Sequence, residues 1–134
     1  MRKTDSKNPA DWIWLCESEL EALQLLVEKE VAYPMCRSQL AELLEKILKA
    51  ELIRQGWELI KTHDLSILAG ELAARDSDLM DEVNPLTKSL AKVYYINRYP
   101  GFDMDDEDWP EIRRLLGTTA ALLANVKQRV GAGD

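Results

Sequence analysis

The sequence predicts an all-α fold, an antiparallel up-and-down bundle of four long helices plus one short helix, on two observations. Apolar residues recur at alternating spacings of three and four along most of the chain, as they do on one face of a helix. No segment shows the period-two alternation of a strand. A chain of 134 residues can bury a core as one unit. We therefore expect a single domain over residues 1–134, with residues 1–9 as a flexible N-terminus.

The first two helices are the clearest elements. The first is predicted to start at Asn8-Pro9 and to close at Tyr33-Pro34, since proline favours helix starts and disfavours continuation. Its apolar face consists of Ile13, Cys16, Leu20, Leu23 and Val27. The second runs from about Cys36 to Gln55 and stops at Gly56. Its apolar face consists of Leu40, Leu43, Leu44, Ile47 and Leu48.

A short third helix and a proline-containing fourth helix follow. Thr62 or Asp64 is expected to cap the third, because short polar side chains accept hydrogen bonds from free helical N–H groups. The third helix buries Leu65, Leu68 and Leu72, and the fourth buries Leu79, Val83, Leu86, Leu90 and Val93. Asn84-Pro85 allows either a kink or a new N-cap. We favour a kink, since the apolar spacing continues across Pro85.

The last helix is predicted to start at Asp108–Glu111, which form a capping-box pattern. Its apolar face consists of Ile112, Leu116, Thr119, Leu123, Val126 and Val130. Charge is unevenly distributed around this start. Asp76–Glu111 contains ten acidic and three basic residues, whereas Ile112–Arg129 contains four basic and no acidic ones. An anionic ligand should therefore bind away from the acidic stretch.

Composition excludes several classes of function. The net charge of -7 argues against generic DNA binding, which needs clustered Lys and Arg. No N-terminal apolar stretch resembles a signal peptide, and no run approaches the length that spans a bilayer. Cys16 and Cys36 have neither metal-ligand spacing nor a disulfide framework, so we expect reduced thiols. These features predict a cytoplasmic protein without membrane association.

Motifs for catalysis, metals and cofactors are missing from the sequence. There is no Gly-rich phosphate loop and no recognisable nucleophile motif. The acidic run Asp103–Asp108 does not fit a calcium loop, because Asp108 and Arg114 stand where Gly and Glu are required. We expect no metal, no cofactor and no catalytic residue. His63, the one histidine, has two interpretations, a structural role at the loop before the third helix or a place in a ligand cleft beside Asp64.

The segment Tyr94–Gly101 also has two interpretations. Arg98 lies at the end of the fourth predicted helix, just before a Pro-Gly turn, where a cation complements the helix dipole. Its guanidinium is also a planar fork suited to phosphate or carboxylate, and Tyr99 could stack beside it. The spacing alone does not decide between these roles.

Three sequence elements, in this order, resemble motifs of the HEPN family of small helical domains associated with nucleotide binding. They are Glu45–Ala50 in the second helix, Thr62–Leu65 at the third, and Arg98–Gly101 after the fourth. The resemblance spans roughly Trp12 to Val130. The residues that match the family motifs, and that we expect to form a ligand site, are Lys46, Lys49, His63, Asp64, Arg98, Tyr99 and Pro100.

The resemblance implies a helical bundle that forms a homodimer and is often encoded beside a separate nucleotidyltransferase, as in toxin–antitoxin-type pairs. Ribonuclease members of the family carry an Arg followed a few residues later by a His on one helix. Here Arg54 precedes His63 by nine positions, across Gly56, and no histidine follows Arg98. We therefore expect a non-catalytic module that binds a nucleotide, an RNA or a nucleotidyltransferase partner. Two alternatives remain, a ribonuclease whose site combines His63 and Arg98 from two chains, and a purely structural interaction bundle.

Overall fold

The computed structural model describes residues 1–132, which form an all-α bundle, as the sequence predicts. Five helices have ten or more residues, and one is a single turn. In chain order they are α1 Pro9–Lys29, α2 Tyr33–Arg54, α3 Leu65–Ala74, α4 Met80–Leu90, α5 Val93–Ile96 and α6 Trp109–Ala132. No strand occurs within residues 1–132.

Helix α2 is the centre of the bundle, since each of the other five helices packs against it. Its predicted apolar face is fully buried, and the same broad face also buries Tyr33, Cys36, Ala50 and Leu52. A wide apolar face of this kind suits a helix that packs against several neighbours. Helix α1 packs on α2 after a three-residue connection, as an antiparallel hairpin, and α6 lies against both. Every residue of the predicted α6 face is buried.

The boundary between the first two helices differs from the prediction. Tyr33 and Pro34 do not close the first helix; they form the first turn of α2, where the missing N–H of proline needs no partner. Helix α1 ends instead at Lys29, and Glu30 adopts a left-handed φ of 52° as its C-cap. At the other end of α2, Gly56 has a φ of 89° and Trp57 N–H donates to Leu52 O, which terminates the helix where Gly56 was expected to.

The fourth predicted helix is shorter than expected. Helix α4 continues through Pro85 without a break, so Pro85 does not begin a new helix. It ends at Leu90, and the two following residues lead into the single turn α5. All five residues of the predicted apolar face are nevertheless buried. The turn between the helices therefore preserves the phase that the sequence pattern indicates.

The first eight residues fold back on the start of α1. Asp11 accepts a hydrogen bond from the backbone N–H of Asp5 (2.9 Å) and an ion pair from Arg2 (3.3 Å). The Trp12 indole N–H donates to Ser6 O at 2.8 Å. Flexibility of this N-terminus stays a prediction. No helix in the described part of the chain combines the length and apolarity that crossing a bilayer requires.

Candidate functional site

A buried carboxylate on α2 links two of the residues that the sequence singled out. Lys49 Nζ donates to Glu45 Oε2 at 2.9 Å, and His63 Nδ1 lies 2.9 Å from Glu45 Oε1. Glu45 and Lys49 are both buried, and the Lys49 ammonium lies 5.6 Å from the centre of the Trp12 ring. Each oxygen of the carboxylate thus has a partner, as a buried charge requires. The Glu45 carboxylate fixes the position of the Nδ1 edge of the His63 ring.

The loop before α3 sets the backbone at His63. Asp64 N–H donates to Thr62 Oγ1 at 3.1 Å, and Ser66 N–H donates to Asp64 Oδ1 at 2.9 Å. Asp64 is therefore the N-cap of α3, and Thr62 supports the turn that precedes it. His63 lies between the two, with 56% of its side chain exposed. It belongs to the protein surface, while its Nδ1 reaches the buried Glu45.

Tyr94 on α5 brings His63 and Arg98 together. The rings of His63 and Tyr94 are stacked, with centroids 4.6 Å apart and planes 12° from parallel. The Arg98 guanidinium carbon lies 4.7 Å from the centroid of the same Tyr94 ring. Two motif residues far apart in sequence therefore contact one aromatic side chain. We call His63, Tyr94 and Arg98 the Tyr94 surface.

Arg98 is exposed and carries a permanent positive charge. The side chain of Tyr99, followed by that of Tyr94, raises the pKa of the Arg98 guanidinium above its ordinary value. No carboxylate within residues 1–132 forms an ion pair with it. Tyr99 and Pro100 are also exposed, and Gly101 has a φ of 118°, which turns the chain away from α5. The guanidinium is thus available to an anion from solvent.

The remaining predicted site residues are occupied by structural contacts. Lys46 Nζ donates to Glu19 Oε1 at 2.5 Å, which ties α2 to α1. Burial by itself lowers the pKa of Lys46, but the hydrogen bond and charge of Glu19 outweigh it and raise the pKa. Asp64 uses its carboxylate as a helix cap. A ligand-binding role for Lys46 or Asp64 stays a prediction.

Comparison with known protein families identifies the family of this chain. A model of the HEPN domain matches residues 10–129. The chain belongs to the HEPN family. It matches none of the curated proteins and none of the solved structures with which it was compared. The three motif segments lie within the matched range, and two of them, at His63 and Arg98, meet at the Tyr94 surface.

Two residues of this HEPN domain are missing from the set of site residues that the sequence predicted. Glu45 stands four residues before Lys49, a spacing that indicates a helical ion pair but not a third partner from another loop. Tyr94 precedes Arg98 by four residues, the spacing of neighbours on a helix face, and this was the available signal for their contact. Its stacking with His63 is a tertiary contact, which periodicity cannot predict.

The described residues 1–132 contain no preformed metal site. No group of three or more His, Cys, Asp or Glu side chains in the range 1–132 is placed to hold a metal ion. The Tyr94 surface instead offers an aromatic ring, an imidazole and a guanidinium. These groups suit a ligand that combines an anionic group with a planar ring.

Proposed function

We propose that this HEPN domain binds nucleotides, free or within single-stranded RNA, at the Tyr94 surface. The observation that carries the proposal is the shared contact of His63 and Arg98 with the Tyr94 ring. Membership of the HEPN family supports a role connected with nucleotides or RNA. The chemistry is simple, since a phosphate needs a cation and a base needs a flat ring.

Arg98 is the residue that contacts the phosphate. A guanidinium offers several N–H donors in a planar fork, and it is more weakly hydrated than an ammonium, so its desolvation on binding costs less. Tyr94 lies beneath the guanidinium and holds it by a cation–π contact, which limits the conformations that binding has to restrict. The surface is therefore partly ordered for an anion before the ligand arrives.

Tyr99 supplies the stacking platform for the base. Its side chain is 66% exposed and lies next to Arg98 in sequence, whereas the Tyr94 ring is already covered by His63. Stacking of a base on an exposed aromatic ring contributes about 1–3 kcal/mol and does not depend on base identity. We therefore expect little sequence preference among short RNAs.

Lys49 acts behind this surface and does not contact the ligand. It is 5% exposed, and its ammonium is held by Glu45. Lys49 donates to Glu45, and Glu45 orients His63 through Nδ1. Removing Lys49 should consequently disturb the position of His63 and destabilise the fold.

Thermal unfolding with adenosine monophosphate and a short unstructured RNA tests the proposal. A ligand present at a hundred times its dissociation constant stabilises a protein by about 2.7 kcal/mol. We expect the wild type to show the increase in unfolding temperature and Arg98→Ala to lose it. Arg114→Ala is the matched control, because Arg114 is equally exposed but lies on α6. Equal stabilisation of both variants, or none in the wild type with either ligand, would contradict the proposal.

The pairing of Glu45 with His63 favours a second candidate function, cleavage of RNA. A carboxylate can only accept, so Nδ1 carries the proton and Nε2 is the basic nitrogen of the neutral ring. Such a histidine can take part in acid–base chemistry beside the Arg98 cation. Because one chain already brings His63 and Arg98 to Tyr94, a second chain is not needed to unite them.

Single-turnover cleavage of a labelled RNA distinguishes this second candidate from binding alone. Nuclease activity predicts product formation by the wild type and its loss in His63→Ala. The His63→Ala variant should retain the nucleotide-induced stabilisation if Arg98 provides most of the affinity. Cleavage that persists in His63→Ala would exclude His63 as the acid–base group.

We further propose that the protein forms a homodimer in the cytoplasm. The dimer pairs with a separate nucleotidyltransferase, as in a toxin–antitoxin-type pair. Exposed aromatic side chains cluster in the segment around Arg98, and patches of this kind are typical of interaction surfaces. They are Tyr95, Tyr99 and Phe102. Sedimentation equilibrium of the pure protein is expected to give the mass of two chains, and a monomer at high concentration would contradict it.

A further inference from the structure

A second concave region lies apart from the Tyr94 surface. It is a cavity of about 610 Å³ between the start of α2, the end of α4, helix α5 and the segment 103–107. Ligand sites in proteins commonly have volumes of roughly 300–1,000 Å³. None of the three residues of the Tyr94 surface lines this cavity. A ligand in this cavity is therefore separate from the one proposed above.

The helical wall of the cavity is basic. Arg37 comes from α2, Lys88 from α4, and Lys92 from the turn before α5. None of the three forms an ion pair with a carboxylate in the part of the chain that the structure describes. Arg37 makes a single long hydrogen bond, from Nη2 to Ser89 O at 3.4 Å. Three cations from three elements thus converge on one space without a bound counter-charge.

The wall opposite is acidic and irregular in structure. Asp103, Asp105 and Glu107 line the cavity from the segment that connects α5 to α6. Like the cations, they form no ion pair within residues 1–132, so no ion pair bridges the two walls. Their charges attract the cations at longer range and repel an entering anion. They therefore lower the affinity of the basic wall for anions.

We propose that this cavity is a binding site for a small phosphorylated molecule. Its phosphate is held by Arg37, Lys88 and Lys92, and the carboxylates of Asp103, Asp105 and Glu107 weaken that binding. The site is independent of nucleotide binding at the Tyr94 surface, since the two share no residue. The cavity has space for a ligand of about the size of a mononucleotide, but not for a folded nucleic acid.

Calorimetric titration with inorganic pyrophosphate at low salt tests the site. We expect saturable binding by the wild type and a loss of affinity of about tenfold or more in Lys88→Gln/Lys92→Gln, because two of the three cations that attract the phosphate are removed. Both lysines are exposed, so this variant should fold normally. The matched control is Lys7→Gln/Lys29→Gln, which removes two exposed lysines elsewhere and should bind as the wild type does.

Neutralising the acidic wall gives an effect of the opposite sign. The variant Asp103→Asn/Asp105→Asn/Glu107→Gln should bind pyrophosphate several-fold more tightly, because the carboxylates no longer repel the anion. Absence of binding in both the wild type and this variant would overturn the proposal. So would a loss of pyrophosphate binding in Arg98→Ala with unchanged affinity in Lys88→Gln/Lys92→Gln, since it would assign the anion to the Tyr94 surface. Unchanged affinity after neutralisation would overturn the role given to the carboxylates.

Discussion

At the scale of single residues, the hydrogen-bond partners of buried charged side chains explain the geometry of the candidate site. Glu45 is the clearest case, because each of its oxygens meets a different partner, Lys49 and His63. The i,i+4 spacing of Glu45 and Lys49 indicates their pairing in the sequence. The contact with His63 depends on how the loop before α3 crosses α2, and no local pattern predicts that crossing.

Cys16 should be an unreactive thiol in the folded protein. Burial, and secondly the charge of Glu19, raise the pKa of Cys16 to about 12. At about pH 8 only roughly one thiol in ten thousand is then a thiolate, the form that reacts. Burial also raises the pKa of Cys36. Titration with a thiol-reactive dye should label neither cysteine in the native protein and both in concentrated denaturant. Rapid labelling of the native protein would contradict this account.

Asp64 gives a test that separates a helix cap from a ligand contact. Replacing Asp64 with Ala removes the acceptor for Ser66 N–H and should cost about 1 kcal/mol of unfolding free energy. Asn caps helices about as well as Asp, so Asp64→Asn should restore the stability. Denaturant unfolding measures both effects. A stable Asp64→Asn variant that no longer binds nucleotide would show that the carboxylate charge is needed by the ligand.

At the scale of elements, the predicted helix starts with a capping residue agree with the structure, whereas the predicted boundary at Pro34 does not. Asn8 caps α1, Asp64 caps α3, and Asp108 accepts a hydrogen bond from Glu111 N–H at the start of α6. All three starts are predictable, because the capping residue carries the signal itself. The prediction that Pro34 ends a helix is wrong, because proline disfavours the helical conformation of the residue before it but is itself favoured in the first turn of a helix.

Gly56, after α2, and Gly70, within α3, give a matched pair of substitutions with opposite expected effects on stability. Gly56 has a φ of 89°, whereas Gly70 lies within helix α3, and an added Cβ would meet no atom within 4 Å at either position. Gly56→Ala should therefore cost about 1–2 kcal/mol through backbone strain alone. Gly70→Ala should stabilise by roughly 0.5–1 kcal/mol, because alanine loses less entropy in a helix. Thermal unfolding of both variants checks the pair, and a stabilising Gly56→Ala would contradict the left-handed turn.

At the scale of the whole molecule, one buried carboxylate connects the ends of two long helices. Glu51 on α2 has no exposed side-chain surface. Arg54 donates to its two oxygens at 2.6 and 3.1 Å, and Arg129 of α6 donates to Oε2 at 3.1 Å. Arg129 also binds Asp78 through two hydrogen bonds, which ties the connection before α4 into the same network.

Removing Glu51 should destabilise the bundle strongly. Glu51→Ala leaves both arginines without their buried acceptor, and losing hydrogen bonds to a charged group costs about 1.5–3 kcal/mol. The matched control is Glu28→Ala, an exposed glutamate on α1 whose loss should change the unfolding free energy by less than about 0.5 kcal/mol. Denaturant unfolding compares the two variants. Similar stabilities for both would mean that the Glu51 network contributes nothing to the fold.

The bundle could be predicted from the sequence because its helices carry their own apolar patterns. Every predicted apolar position on α6 is buried, from Ile112 to Val130, and so is Val93 beyond the end of α4. The cluster at Tyr94 could be predicted only in part. The motifs at His63 and Arg98 indicate that these residues matter, whereas their meeting point depends on the packing of α5 against α2.

Chemical-shift mapping by NMR tests the central claim, that HEPN motif residues converge on Tyr94 to form a nucleotide-binding surface. Titration with a short unstructured RNA should shift the amide signals of residues 62–64 and 94–99 and leave those of α6 unchanged. In Arg98→Ala the same shifts should require a concentration at least about tenfold higher, equivalent to about 1.4 kcal/mol. Shifts concentrated along the basic residues of α6, or none at saturating RNA, would contradict the claim.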